Sequence, residues 1–235
     1  MNPACRRRCL LAVTCVSVTC LALFGVSKSA IAAPVNVNCT TGGKIQPVID
    51  AAAPGSFVDI VVTGTCNENV NIYPTSVVQI ESSTGAIMNQ QSGGAPLVKV
   101  NGRAWLIGLK LNSSLVTNEV VQVSDLAYAL IASSTVTGAQ ASQLIHVWDE
   151  SFLEVGNSTI SGGTDAAIGV SEGAALQVVG DPGLPGTPNT VVSTLGPIAN
   201  VIGCEAGNVR IATNSSVGSV ILQHGFQAFM LATAK

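Results

Sequence analysis

An apolar pattern returns every 23 or 24 residues along the middle of this chain, and that recurrence restricts the fold more than any other feature. Four segments carry it: Leu97-Val98-Lys99-Val100, Val120-Val121-Gln122-Val123, Leu144-Ile145-His146-Val147 and Ala167-Ile168-Gly169-Val170. Their last valines are 23, 24 and 23 residues apart. A polar turn follows each, then a second apolar strand with Trp105, Tyr128, Phe152 or Ala175 five residues beyond the valine. Two coils continue through a polar step into a third strand, residues 133–138 and 157–162. Three short strands in about 23 residues match one turn of a parallel β-helix. One coil cannot bury its own apolar face, and stacking at ~4.8 Å pairs each strand with those above and below. A leucine-rich repeat would need Leu and Asn at fixed steps, and a β-sandwich would space its strands at 8–12 residues.

The expectation is therefore an all-β chain, a right-handed parallel β-helix solenoid with a short N-terminal capping helix. Ile45, Val48, Ile49 and Ala52 sit at helical spacing, with Pro54-Gly55 to stop the run. Residues 181–188 form a Pro/Gly excursion that breaks the period. Strand-like runs then resume, and the apolar stretch 225–231 closes the far end.

Residues 1–32 read as a signal peptide. Arg6, Arg7 and Arg8 precede an apolar run from Leu10 to Val26, and Ala30-Ile31-Ala32 supplies a small-x-small exit. An uncleaved anchor is the alternative. Residues 33–235 then form one domain, secreted or periplasmic, with no membrane attachment after cleavage. Losing Arg6, Arg7, Arg8 and Lys28 leaves six basic residues against thirteen acids, a net charge of −7. That balance argues against nucleic acid as a partner. Three cysteines remain. Cys39 and Cys66 flank the first helix and strand and are paired as a disulfide, which leaves Cys204 as a buried free thiol.

The stretch Ile45 to Ile72, with Ala53-Pro54-Gly55 and Gly64-Thr65-Cys66-Asn67-Glu68-Asn69-Val70-Asn71-Ile72, resembles the beginning of secreted bacterial right-handed β-helix proteins of the pectin-lyase-like fold class. That class holds lyases, hydrolases, epimerases, adhesins and phage tail parts, so the resemblance implies architecture and not activity.

Catalytic patterns of the class are missing. There is no Asp-Asp pair for hydrolysis, no basic cluster beside acids for elimination, and no Asp-Pro-His-Asp. Two residues after the aligned valines stand Gly102, Asp125, Asp149 and Glu172. Asp125, Asp149 and Glu172 would stack as a carboxylate ladder, either solvated turns or a Ca²⁺ site with hard oxygen ligands. Beside it His146, Trp148, Asp149 and Glu150 make a candidate ligand surface, in which an exposed Trp and acids could hold a sugar ring. Asn112, Asn157 and Asn214 head Asn-x-Ser/Thr tripeptides and read as turn residues. Three functions follow. The first is a non-catalytic exported β-helix presenting an acidic polar face to a polysaccharide or cell-surface partner. The second is a calcium-assisted polysaccharide lyase or related enzyme, and the third a self-associating structural or tail-like module.

Overall fold

The computed structural model describes residues 33–179, 190–192, 199–204, 208–211, 216–217, 220–223 and 228–230, with side chains through Val178 and at Val209. The leader, the excursion at 181–188, Asn214 and the side chain of Cys204 lie outside what is described.

The chain enters through β1 (Val35–Asn38), a 3-10 turn (Cys39–Thr41) and the five-residue helix α1 (Gln46–Asp50). Coils of three strands follow. The first two are β2 (Phe57–Thr63), β3 (Thr65–Asn67), β4 (Val70–Ile72) and β5 (Val77–Glu81), β6 (Ile87–Asn89), β7 (Val98–Val100). The next two are β8 (Arg103–Ile107), β9 (Lys110–Ser113), β10 (Thr117–Val123) and β11 (Tyr128–Ala132), β12 (Thr135–Gly138), β13 (Ala141–Val147). Then come β14 (Phe152–Gly156), β15 (Thr159–Gly162), β16 (Ala166–Ser171) and β17 (Ala175–Val179), β18 (Thr190–Val192), β19 (Ala199–Cys204). The series ends in β20 (Asn208–Ile211), β21 (Ser216–Val217), β22 (Val220–Gln223) and β23 (Ala228–Met230).

First, second and third strands of successive coils stack into three parallel sheets, here A, B and C. Sheet A runs β1-β2-β5-β8-β11-β14-β17-β20-β23 and has nine strands; B and C have seven each. The fold is a parallel β-solenoid with almost no helix. Val100, Val123, Val147 and Val170 are successive partners in sheet C, as their spacing requires. Alternation buries these valines and sends Lys99, Gln122 and His146 to the outer face. The core is one apolar column of Val, Ile and Leu from all three sheets.

One alignment is corrected. Tyr128 and Phe152 are partners, but Tyr128 faces Arg103 on its other side, and Trp105 faces Leu130. The turn before β8 is only Asn101-Gly102, two residues shorter than the next two turns, 124–127 and 148–151. A Cβ on Gly102 would collide with the carbonyl oxygens of Tyr73 and Ser76, so only glycine fits there. Trp105 still reaches the aromatic column. Its ring centroid lies 6.2 Å from Phe57 and 6.0 Å from Tyr128, and Tyr128 stacks on Phe152 at 5.8 Å.

Between sheets A and B the chain turns through a single left-handed residue, Gly108, Ser133 or Asn157. Ser134 and Ser158 follow and are buried. Ser134 N donates to Ser158 Oγ at 3.1 Å, and Leu109 N donates to Ser134 Oγ at 3.1 Å, which satisfies corner amides that would otherwise be orphaned. Asn157 is thus a turn residue as expected. Asn112 is not: it lies within β9, where its Oδ1 accepts from Thr137 Oγ1 at 2.7 Å.

The N-terminal segment is a degenerate coil. β1 pairs with β2 in sheet A, the 3-10 turn packs on β3, and α1 packs on β4. Pro47 is tolerated because it falls in the first helical turn. Glu68, only 5% exposed, accepts from Ile45 N at 2.9 Å and Gln46 N at 3.1 Å and so supplies the helix cap from the next coil. The disulfide Cys39–Cys66, with Cα atoms 5.0 Å apart, ties the 3-10 turn to β3.

Candidate functional site

The corner between sheets C and A carries the ladder. Each of three consecutive turns holds two residues at positive φ: Asp125 (64°) and Leu126 (61°), Asp149 (50°) and Glu150 (53°), Glu172 (51°) and Gly173 (74°). Paired positive φ values are what the two central residues of a type I′ turn require, and glycine or asparagine is the usual occupant. Five of these six positions are not glycine, at a cost of roughly 1–2 kcal/mol each. The stack is stabilised by its own backbone. Leu126 N donates to Asp149 O at 3.1 Å, and Glu150 N donates to Glu172 O at 3.0 Å.

Asp125, Leu126, Asp149, Glu150 and Glu172 line one open depression of about 480 Å³. All five are exposed, Leu126 to 75%. The Asn101 amide donates to the Asp125 carboxylate and to Ser124 Oγ (2.9 Å), closing the acidic column at the coil where it begins. The carboxylates stack but do not gather. Among the described residues, the set of ligating atoms within 4.8 Å of one another is Cys39, Cys66 and Glu68, whose sulfurs are already joined.

Beside the column, on the outer face of sheet C, His146 and Trp148 meet edge to face at 4.4 Å. His146 Nε2 lies 3.1 Å from Ser171 Oγ, and burial holds the imidazole below the usual histidine range. Asp149 and Glu150 occupy the turn immediately after Trp148 and line the depression, whose lining does not include His146 or Trp148.

Four contributors were not singled out from the sequence. Leu126 and Ser171 each neighbour an aligned position, and Ser171 follows Val170 just as Trp148 follows Val147, which is the signal that could have found it. Glu119 is buried on the same face. Burial pushes its carboxyl up, and the positive charge of Lys99 opposes that shift. Its partner in register, Gln143, has its Oε1 buried with no hydrogen bond. An acceptor in that state costs about 1–3 kcal/mol.

The exposed left-handed Leu126 yields a direct test of the turn. Leu126→Gly should stabilise the chain by about 0.5–1 kcal/mol, because relief of the αL conformation exceeds the added unfolded-state entropy. Urea denaturation read by far-UV circular dichroism measures it; a loss of stability would mean that the turn is not left-handed there.

No helix among the described residues is long and apolar enough to cross a membrane. No protein-family model matches the chain, and neither a curated protein nor a solved structure does.

Proposed function

We propose that this chain is an exported right-handed β-helix of the pectin-lyase-like kind that binds a polysaccharide or another cell-surface component without catalysis. The carrying observation is the turn column. Strained backbone at exposed positions persists where the surroundings over-determine it and is concentrated at sites of function. Here it projects Asp125, Asp149, Glu150 and Glu172 into one depression beside a half-exposed tryptophan. A sugar presents an apolar ring face to Trp148 and hydroxyl donors to carboxylates, and a hydroxyl would also satisfy an acceptor such as Gln143 Oε1. The leader-like N-terminus and the disulfide support export, since disulfides persist in oxidising compartments. In this reading α1 caps the first coil.

Binding to a glycan array, followed by calorimetry on the best polymer, tests the proposal. Asp149→Asn and Trp148→Ala should each weaken binding about tenfold, and no new reducing ends or unsaturated products should appear. Product release would overturn the non-catalytic reading. Unchanged affinity in both variants would remove the site.

A second reading, in which Ca²⁺ joins Asp125, Asp149 and Glu172 to an acidic polymer or assists its cleavage, requires these stacked side chains to draw together, since they do not converge within ligating distance of one another. Calcium titration should then raise the melting temperature saturably, and Asp149→Asn should abolish the rise. A flat response leaves the carboxylates as solvated turns.

A further inference from the structure

The corner that joins the 3-10 turn to β3 gathers three side chains with metal-ligating atoms. Cys39 Sγ, Cys66 Sγ and a Glu68 carboxylate oxygen all lie within 4.8 Å of one another. Cys66 and Glu68 are 1% and 5% exposed, and Cys39 is partly buried against the core. The two sulfurs are bonded to each other.

That bond is not the only thing holding the group together. Lys44 Nζ donates to Asn67 O at 2.7 Å, and Glu68 accepts from Ile45 N and Gln46 N. The turn is closed on itself, because Asn38 Oδ1 accepts from Thr40 N at 3.0 Å and Asn38 O accepts from Gly43 N at 3.0 Å. It also sits tight against the residue that leads into β3: a Cβ on Gly64 would collide with Thr40 Oγ1. Cys39 is therefore kept opposite Cys66 by contacts on either side of it. Glu68 gives each amide a different oxygen, and a carboxylate offers about four lone-pair sites, so each oxygen keeps one free for a further partner.

We infer that this corner, once its disulfide is reduced, binds a thiophilic divalent cation, with Cys39, Cys66 and Glu68 as ligands and Zn²⁺ as the ion that suits them. Reduction by a phosphine breaks the S–S bond and leaves a proton on each sulfur, while the phosphine becomes its oxide with oxygen from water. Binding of the cation then releases both thiol protons to solvent. Around a tetrahedral zinc two sulfurs stand ~3.8 Å apart. Side-chain rotation reaches that separation with the Cα atoms near their 5.0 Å spacing. Two thiolates and a carboxylate repel one another in a buried corner, and a doubly charged cation offsets that repulsion. The thiolates select zinc over calcium or magnesium, which take oxygen ligands. The same loop is then clasped by oxidation or by metal. This site is separate from the turn column and does not depend on its ligand.

The test uses chain processed by a bacterial host in a Cys204→Ser background, which leaves Cys39 and Cys66 as the cysteines of residues 33–235. After reduction with tris(2-carboxyethyl)phosphine, Cd²⁺ is titrated and followed by its ultraviolet thiolate-to-metal charge-transfer band. Saturation at one Cd²⁺ per chain is expected, with no band in the disulfide form, and Zn²⁺ should displace the cadmium. Glu68→Gln should weaken binding at least tenfold while its disulfide form still melts cooperatively. Because that variant also disturbs the start of α1, X-ray absorption of the reduced, zinc-loaded chain with Glu68 intact reads the ligands directly, and two sulfurs with oxygen neighbours are expected. The absence of a saturable band overturns the inference. So does an undiminished affinity in Glu68→Gln, or a zinc bound by four sulfurs drawn from two chains.

Discussion

Ile131→Ala should lower the unfolding free energy by about 4 kcal/mol, near the upper part of the range for deleting a buried aliphatic side chain. Ile131 is fully buried in β11 and is stacked between Leu106 of β8 and Val155 of β14. Removing three carbons forfeits their transfer free energy and leaves a void. Collapse into that void is resisted because the coils above and below are held at the hydrogen-bonding distance of the sheet. The outward neighbour provides the control. Leu130 lies on the outer face of the same strand and is partly exposed, so Leu130→Ala should cost under about 1.5 kcal/mol. Urea unfolding of the pair decides the matter: equal losses would mean that the alternation in β11 is not as described.

Replacing both Cys39 and Cys66 by alanine should cost about 3.5 kcal/mol, the chain-entropy value for the 27-residue separation they close. For a domain of this size that corresponds to a fall of about 10 °C in melting temperature. The loss should be concentrated at one end. The bridge holds the 3-10 turn on β3, and two residues further on Glu68 holds the start of α1. Hydrogen exchange should show faster opening of residues 35–50 in the double variant, with little change at β11 or β14. Uniform loss of protection would instead mean that the whole stack unfolds as one unit.

Where coils are of equal length, the register was legible from spacing alone, because the inward valine recurs at the same place in each coil. Where a turn or loop changes length it was not. β4 pairs with β7 at Ile72 and Val100, 28 residues apart, since the loop after β6 adds residues whose amides and carbonyls are gathered by Asn69. That insertion hid β5 and β6 from a search for a fixed period, and β1 escaped because its coil finishes as helix. Aligning Trp105 with Tyr128 failed for a related reason. Outer positions accept many residue types, so aromatic identity is a weaker marker than an inward valine. Of the candidate site, the order Asp125, Asp149, Glu172 was readable from the valines. The left-handed backbone of the turns, the contact of His146 with Ser171 and the burial of Glu119 depend on neighbouring coils, and of these only Ser171 had a sequence signal, its place after Val170.

Among the described residues each strand pairs in register only with strands one coil before or one coil after it, with consequences for the route by which the chain folds. A new coil closes a loop of between 19 and 33 residues, and because loop entropy grows only with the logarithm of length, the cost of adding it changes little along the axis. A solenoid can nucleate at any coil, and growth from there is a moving front in which the last finished coil is the template for the next. Folding time in such a chain scales with the number of coils the front must cross, and a stalled front exposes a single set of strand edges instead of a collapsed core.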